Sequence, residues 1–166
     1  MRILKESILN RSSHTGEGFK TQRREMIEEW LKKYNIKNYT INDDFTIDVN
    51  GSIDLFFSKD LSEFPDYIQF GVVRGDFVCK INYLTSLRGV PRIVGGNFDC
   101  ADNELTSLEG APKEVGGYFD CGYNKLTSLK GAPENVASFY CSNNKVQFTE
   151  EDVREVCKVK GKVIVK

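Results

Sequence analysis

The chain has little of what many enzymes use for catalysis. Histidine occurs once in 166 residues, as His14, within a predicted flexible linker from Arg11 to Gly18. A Ser–His or Cys–His arrangement on the folded body is therefore excluded. The phosphate-binding pattern G-x-x-x-x-G-K-S/T is also missing. We therefore expect a protein that is not an enzyme and that uses no cofactor.

Long apolar runs are missing as well. No stretch approaches the roughly 20 apolar residues that a transmembrane helix needs. The first residues, Met-Arg-Ile-Leu-Lys-Glu, lack the apolar centre of a secretory signal peptide. The sequence therefore predicts a soluble, cytoplasmic protein that has no membrane partner.

Positive and negative charges nearly cancel over the whole chain, but they are unevenly distributed. The formal net charge is −1. Residues 1–38 hold nine Lys and Arg against five Asp and Glu, a balance of +4, whereas residues 39–148 hold nine against fifteen, a balance of −6. A nucleic-acid-binding surface needs a basic stripe that neutralises phosphates. We therefore expect no direct binding of nucleic acid by the acidic region.

Four copies of one pattern run from residue 77 to residue 146. Each copy has Phe, Cys two residues later, Asn three residues after the Cys, and then Leu or Val two residues after the Asn. The copies begin at Phe77, Phe98, Phe119 and Phe139, so their spacings are 21, 21 and 20 residues. Thr-Ser-Leu and Gly-x-Pro recur between them. A period near 20 residues is typical of leucine-rich repeats, the shortest solenoid repeats.

Each position of the pattern has a physical interpretation. Phe-x-Cys predicts a short strand with two inward side chains. The Asn comes where the chain leaves the strand, and its amide can bond backbone groups of the neighbouring coil. Gly-x-Pro forbids a helix, so the return limb should be extended or irregular. The repeat cysteines should form a buried ladder rather than disulfides or a zinc site; they are Cys79, Cys100, Cys121 and Cys141.

Residues 133–146 resemble the 20-residue bacterial leucine-rich repeat, P-x-x-L-x-x-L-x-V-x-x-N-x-L. The recurring LTSLEGAP, VGG and NKLTSL segments resemble short leucine-rich-repeat proteins of tailed bacteriophages and prophages, over roughly residues 38–148. This resemblance implies an α+β repeat solenoid, a short leucine-rich-repeat array with parallel strands. It also implies protein binding, with no shared enzymatic chemistry.

Segments on either side of the repeats are expected to cap the array. Residues 1–18 are predicted to be a flexible N-terminal segment, either a frayed terminus or a docking peptide, with a short helix over 1–12. Residues 19–50 should form a capping helix and a hairpin whose second strand holds Phe45, Ile47 and Val49. Trp30 should pack in the helix's apolar stripe rather than anchor a partner. Residues 51–148 should hold the repeats, beginning with a degenerate copy at Ile53. Residues 149–166 should form a C-terminal cap, a helix followed by a strand. Thr149 is the expected N-cap of that helix, and Val153, Val156 and Cys157 should cover the open end of the core.

Large side chains and carboxylates fall at positions that should point outward from the strands. Aromatic anchors among polar residues are typical of protein–protein interfaces. A row of Asp favours a partner with a basic surface. Some of these aromatics could instead pack over the rim of the array. The candidate partner-binding residues are Phe56, Phe57, Val78, Ile81, Asp99, Asp102, Tyr118, Asp120, Tyr123 and Tyr140.

Three functions stay open at this point. The favoured one is a phage-encoded module that binds a host or phage protein through its strand-lined face, and that inhibits a host defence or nucleic-acid-binding protein. The first alternative is a structural or assembly protein of the virion. The second is a metal-dependent enzyme in which Asp99, Asp102 and Asp120 hold a cation.

Overall fold

The computed structural model describes residues 16–166, which divide into two compact units between Asn35 and Ile36. In the first unit, helix α1 spans Gly16–Lys33 and so begins inside the segment predicted to be a linker. Trp30 is buried, with its ring centroid 4.5 Å from that of Tyr34, which confirms that it is not an exposed anchor. The expected helix over residues 1–12 and the lone histidine lie outside the described residues. The capping role of α1 stays a prediction.

The second unit is a parallel β-solenoid of about six turns, built from two sheets. The six-stranded sheet, called here the Phe sheet, runs in the order β13-β11-β9-β7-β5-β3. Its strands are β3 (Ile53–Asp54), β5 (Phe77–Val78), β7 (Phe98–Asp99), β9 (Tyr118–Asp120), β11 (Ser138–Tyr140) and β13 (Val163–Ile164).

The seven-stranded sheet, called here the return sheet, runs in the order β1-β2-β4-β6-β8-β10-β12. Neighbouring strands in this sheet are parallel, except for β1 and β2, which form the predicted antiparallel hairpin. Its strands are β1 (Tyr39–Ile41), β2 (Ile47–Val49), β4 (Phe70–Val73), β6 (Ile93–Val94), β8 (Glu114–Val115), β10 (Asn135–Val136) and β12 (Lys158–Val159).

The core of the solenoid is a stack of identical positions. Phe77 pairs with Phe98, and Phe98 with Phe119, so their fully buried rings stack with centroids 5.5 and 5.4 Å apart. Ile53 pairs with Phe77, which confirms the degenerate first copy. All five cysteines are buried and free. The inward Phe-x-Cys strands and the thiol ladder are therefore confirmed.

The repeat asparagines hold adjacent turns together. Asn103 donates from Nδ2 to the carbonyl oxygens of Cys79, Cys100 and Ala101, at 3.0, 3.1 and 3.2 Å. Its Oδ1 accepts the Leu84 N–H at 2.9 Å. The next copy repeats the arrangement. The expected role of the asparagine is confirmed, and it satisfies backbone groups that are buried away from water.

The return limbs are extended, as the Gly-x-Pro segments predict. Gly110 has φ 90, a left-handed conformation that suits glycine at the turn. Gly116 lies so close to the turn before it that a Cβ would collide with the carbonyl oxygen of Gly95. The Gly-Gly pairs therefore let successive return limbs approach at backbone distance. The buried leucines of the Thr-Ser-Leu segments, Leu87, Leu108 and Leu129, close the core.

Two details of the flanking segments differ from expectation. Phe45 was predicted to belong to the second hairpin strand, but it lies in the hairpin turn with φ 66. Val156 was predicted to cover the open end of the core, but it is 44% exposed, because Val153 and Cys157 occupy the buried face of the helix at i and i+4.

The C-terminal helix α2 spans Glu150–Val156 and begins at the predicted N-cap. Thr149 accepts the Asp152 N–H, and the Asp152 carboxylate accepts the Thr149 N–H, which completes a capping box. The predicted terminal strand is β13, whereas β12 was not predicted. Among residues 16–166, no helix has the length and apolar character to cross a membrane.

Candidate functional site

The candidate residues fall into two groups on the Phe sheet. The first group, called here the sheet face, lies on β5, β7, β9 and β11 and comprises Val78, Asp99, Tyr118, Asp120 and Tyr140. The second group, called here the exit ridge, consists of one residue from each of five successive turns. Each lies four positions after the inward Phe or Ile, where the chain has left the strand. The exit ridge comprises Phe57, Ile81, Asp102, Tyr123 and Asn143. Phe56, the remaining candidate, precedes the ridge and is 51% exposed.

One predicted carboxylate is engaged within the fold. Asp99 was expected to face solvent, but it is 3% exposed. Its Oδ2 lies 3.1 Å from Lys80 Nζ, and its Oδ1 accepts the Ala101 N–H at 3.2 Å. The hydrogen bond and the negative charge of Asp99 raise the pKa of Lys80. Burial of an ion is tolerated when it is paired in this way. The Asp99 carboxylate is therefore engaged in an ion pair with Lys80 within the fold.

The sheet face also carries Asp120, whose carboxyl has no ion-pair partner among the described residues, beside Tyr118 and Tyr140. Burial raises the pKa of Asp120, although its hydrogen bond from the Gly122 N–H opposes that shift. Burial likewise raises the pKa of Tyr118. The rings of Tyr118 and Tyr140 meet edge to face, with centroids 5.7 Å apart. Both tyrosines are half-buried, so only part of each side chain is exposed to solvent.

The row beside the sheet face links successive turns. Asp76 Oδ1 accepts the Asn97 N–H at 2.7 Å, and Asn97 Oδ1 accepts the Tyr118 N–H at 3.0 Å. These side chains therefore stabilise the register of the strands.

The exit ridge has one repeated backbone conformation. Its five residues have φ of 48, 53, 53, 52 and 54 in chain order. Backbone hydrogen bonds stack them, including Ile81 N–H to Ala101 O at 3.0 Å and Tyr123 N–H to Ser142 O at 2.9 Å. Phe57, Ile81 and Tyr123 are 52%, 40% and 56% exposed. The ridge is therefore an ordered row with three large apolar side chains in solvent.

Sequence reasoning missed Tyr83, which is 63% exposed and lies two residues after Ile81. The corresponding positions in the next two copies hold Glu104 and Lys125, which form an ion pair. An aromatic residue at a position that is charged in other copies was the signal that could have found it. Tyr83 extends the exposed apolar surface beside the ridge.

The return sheet carries a polar cleft of about 360 Å³. Asp48, the carboxylate in its lining, accepts the Val72 N–H at 2.8 Å and a bond from Asn42 Nδ2 at 3.2 Å. That carboxylate therefore supports the sheet. Elsewhere in residues 16–166, no group of three or more His, Cys, Asp and Glu side chains is placed to hold a metal ion. The cleft is lined by Asn38, Thr40, Asp48, Val49, Asn50, Val72 and Arg74.

The thiols should be unreactive in the native protein. Burial raises the pKa of every cysteine, to about 11 for Cys157 and about 12 for Cys141. The thiolate is the reacting species, so we expect no labelling by iodoacetamide at neutral pH, and Cys157 modified first when the pH is raised. Mass spectrometry of digested protein measures the order. Rapid labelling of Cys100 or Cys121 without denaturant would contradict the buried ladder.

No protein-family model matches the chain, and neither the curated proteins nor the solved structures give a match. The sheet face and the exit ridge are therefore the features of this protein from which a function can be inferred.

Proposed function

We propose that this protein is a protein-binding module of the leucine-rich-repeat type, in which the hairpin and the C-terminal helix and strand act as caps. Binding without catalysis, through the sheet face and the exit ridge, is its proposed activity. The observation that supports it is the set of exposed apolar side chains on this one surface, above all Phe57, Ile81 and Tyr123. A solenoid core does not need these groups.

The charge of this surface favours a basic partner. Lys80 is neutralised by Asp99, and Lys125 is paired with Glu104, whereas Asp102 and Asp120 have no ion-pair partner among the described residues. Negative potential at the rim of an interface accelerates association with a positive surface. A protein whose basic surface otherwise contacts nucleic acid fits this requirement.

The resemblance of the repeat segments to those of phage and prophage proteins supports a phage origin, with action in the host cytoplasm. Under this proposal the partner is a host or phage protein, and a host defence protein inhibited by occlusion of its basic surface is the favoured case. The solenoid would then supply a rigid surface that loses little conformational entropy on binding.

Affinity purification from bacterial lysate, with and without infection, followed by mass spectrometry tests this proposal. One bait is the tagged protein, and a second carries Tyr118→Ala, Tyr123→Ala and Tyr140→Ala. Hot-spot aromatics contribute roughly 2 kcal/mol or more each, so the triple variant should lose the partner. A control bait carries Arg92→Ala and Glu114→Ala, exposed positions beside or on the return sheet.

We expect one protein that wild type and control retain and the triple variant does not. Equal recovery by all three baits would contradict a binding role for this surface. Recovery of phage structural proteins irrespective of the tyrosines would instead assign the protein to virion assembly.

A further inference from the structure

The exit ridge holds side chains in a backbone conformation that disfavours them. Residues other than glycine are uncommon at φ near +50, Asn and Asp are the types enriched there, and a β-branched residue is a genuine outlier. Ile81 has φ 53, and the aromatic Phe57 and Tyr123 have φ 48 and 52. Local propensity therefore works against the residues present at three of the five ridge positions.

Other turns of the solenoid show that the fold does not require these residues. Asn143 and Asp102 occupy the same ridge position with φ 54 and 53, and both are exposed. They belong to the types that tolerate this conformation at low cost. Ile81 and Tyr123 are exposed too, so burial does not offset the unfavourable backbone. Strained positions that persist in this way cluster where a protein contacts a ligand.

The middle of the ridge carries an uncompensated negative charge. Asp102 stands between Ile81 and Tyr123, is exposed, and has no ion-pair partner within residues 16–166. At the start of the ridge, Lys59 Nζ lies 5.6 Å from the centroid of the Phe57 ring. An aromatic ring at this position therefore accepts an ammonium group, and a cation beside Asp102 would meet both the carboxylate and the Tyr123 ring.

The spacing of the ridge matches a helix better than an extended chain. Neighbouring turns lie about 4.8 Å apart, so Ile81, Asp102 and Tyr123 stand at about 0, 4.8 and 9.6 Å along the solenoid. Residues i, i+3 and i+7 of an α-helix lie at about 0, 4.5 and 10.5 Å. Alternate side chains of a strand are spaced by about 6.6 Å. A strand laid along the ridge would therefore be out of register with the turns after one step.

We propose that the exit ridge docks an amphipathic helix of a partner protein that carries a Lys or Arg between two apolar side chains. The cation pairs with Asp102 beside the Tyr123 ring, while the two apolar side chains that flank it pack on Ile81 and Tyr123. This inference rests on the proposed protein-binding function and assigns the row that anchors the partner.

Synthetic helical peptides test the inference without the natural partner. Three fluorescein-labelled peptides share a Leu-x-x-Z-x-x-x-Leu face, with Lys, Ala or Glu at Z. Their binding is measured by fluorescence anisotropy against wild type, Ile81→Asn, Tyr123→Asn and the return-sheet control Glu114→Gln, and each protein's urea midpoint is recorded. We expect the Lys peptide to bind wild type and the control roughly tenfold more tightly than the Glu peptide, as one lost charge pair predicts.

The two ridge variants should bind the Lys peptide roughly tenfold or more weakly than wild type does, because each removes an apolar contact. Their urea midpoints should rise or stay unchanged, because Asn relieves the backbone. A lowered midpoint for Ile81→Asn would show that Ile81 supports the fold, and would overturn the inference. Equal binding of the Lys and Glu peptides, binding indifferent to the ridge variants, or no binding at millimolar peptide would each overturn it as well.

The affinity purification separates this inference from the broader proposal when the triple variant is divided. A partner lost by Tyr118→Ala with Tyr140→Ala, but retained by Tyr123→Ala, would leave the binding function standing on the sheet face and remove the ridge as its anchor. A partner lost by Tyr123→Ala alone would support both.

Discussion

Raising the pH from about 7 to about 10 should lower the free energy of unfolding by roughly 7 kcal/mol, at about 1.4 kcal/mol for each of five buried thiols. Burial raises the pKa of each thiol, so the native state keeps its protons. The unfolded chain releases them above the ordinary value of 9.0. It then binds fewer protons than the native state, so stability falls as the pH rises. The loss continues until the native thiols ionise, from about 11 at Cys157.

Domain stabilities are typically about 5–15 kcal/mol, so this loss would remove most of the stability of an ordinary domain. Urea unfolding followed by circular dichroism at several pH values measures it. As the pH rises from about 9 to 10, the contribution of the thiols to the slope should approach five protons released on unfolding.

Cys100→Ala provides the matched variant. It lowers stability at neutral pH through its cavity, but the slope above pH 9 should fall by one proton, because one titrating thiol is gone. A wild-type slope of less than about one proton would mean that the native thiols ionise freely, contrary to their burial.

Replacing Asn124 with Ala should destabilise the protein by about 3–5 kcal/mol, because several buried backbone groups lose their partners together. Asn124 Nδ2 donates to the carbonyl oxygens of Cys100, Cys121 and Gly122, and its Oδ1 accepts the Leu105 N–H. Urea unfolding at neutral pH measures the loss.

Asn82→Ala is the control that the repeat itself provides. Asn82 donates to backbone carbonyls in the same way, but its Oδ1 has no hydrogen-bond partner. The N–H that would reach it belongs to Leu61, which bonds to Ser58 O in the longer first turn. We expect Asn82→Ala to cost about 1 kcal/mol less than Asn124→Ala, the worth of one hydrogen bond. An equal or larger cost at Asn82 would contradict the additive role assigned to the Oδ1 contact.

The repeated positions were predictable because each does the same physical task in every turn. Phe98, Cys100 and Asn103 have counterparts in all four copies, so an inward ring, an inward thiol and a bonded amide follow from chain geometry alone. The degenerate copy at Ile53 followed from the same alternation. In each case the neighbours that determine the environment are copies of the residue itself.

The departures come from positions whose environment is set by an unlike neighbour. Asp99 is buried because Lys80 reaches it from the preceding turn, and the corresponding residue of the next copy, Ala101, has no such reach. The ridge conformation was not predicted because Phe57, Ile81 and Tyr123 are residue types that disfavour positive φ. Only Asp102 and Asn143 are of the types enriched there. The short β12 consists of only two residues, Lys158 and Val159, too few for a periodic signal.

The stacking of equivalent residues in successive turns also determines how such a chain can change in length. Phe98 pairs with Phe119 as Phe77 pairs with Phe98, so a turn meets equivalent surfaces above and below. A tandem duplication of residues 98–118 would insert one turn whose rings, thiol and amide find partners already in register. The array can therefore lengthen by whole turns without any new core. Each added turn would lengthen the exit ridge by about 4.8 Å, so the reach of the binding surface can evolve separately from the stability of the fold.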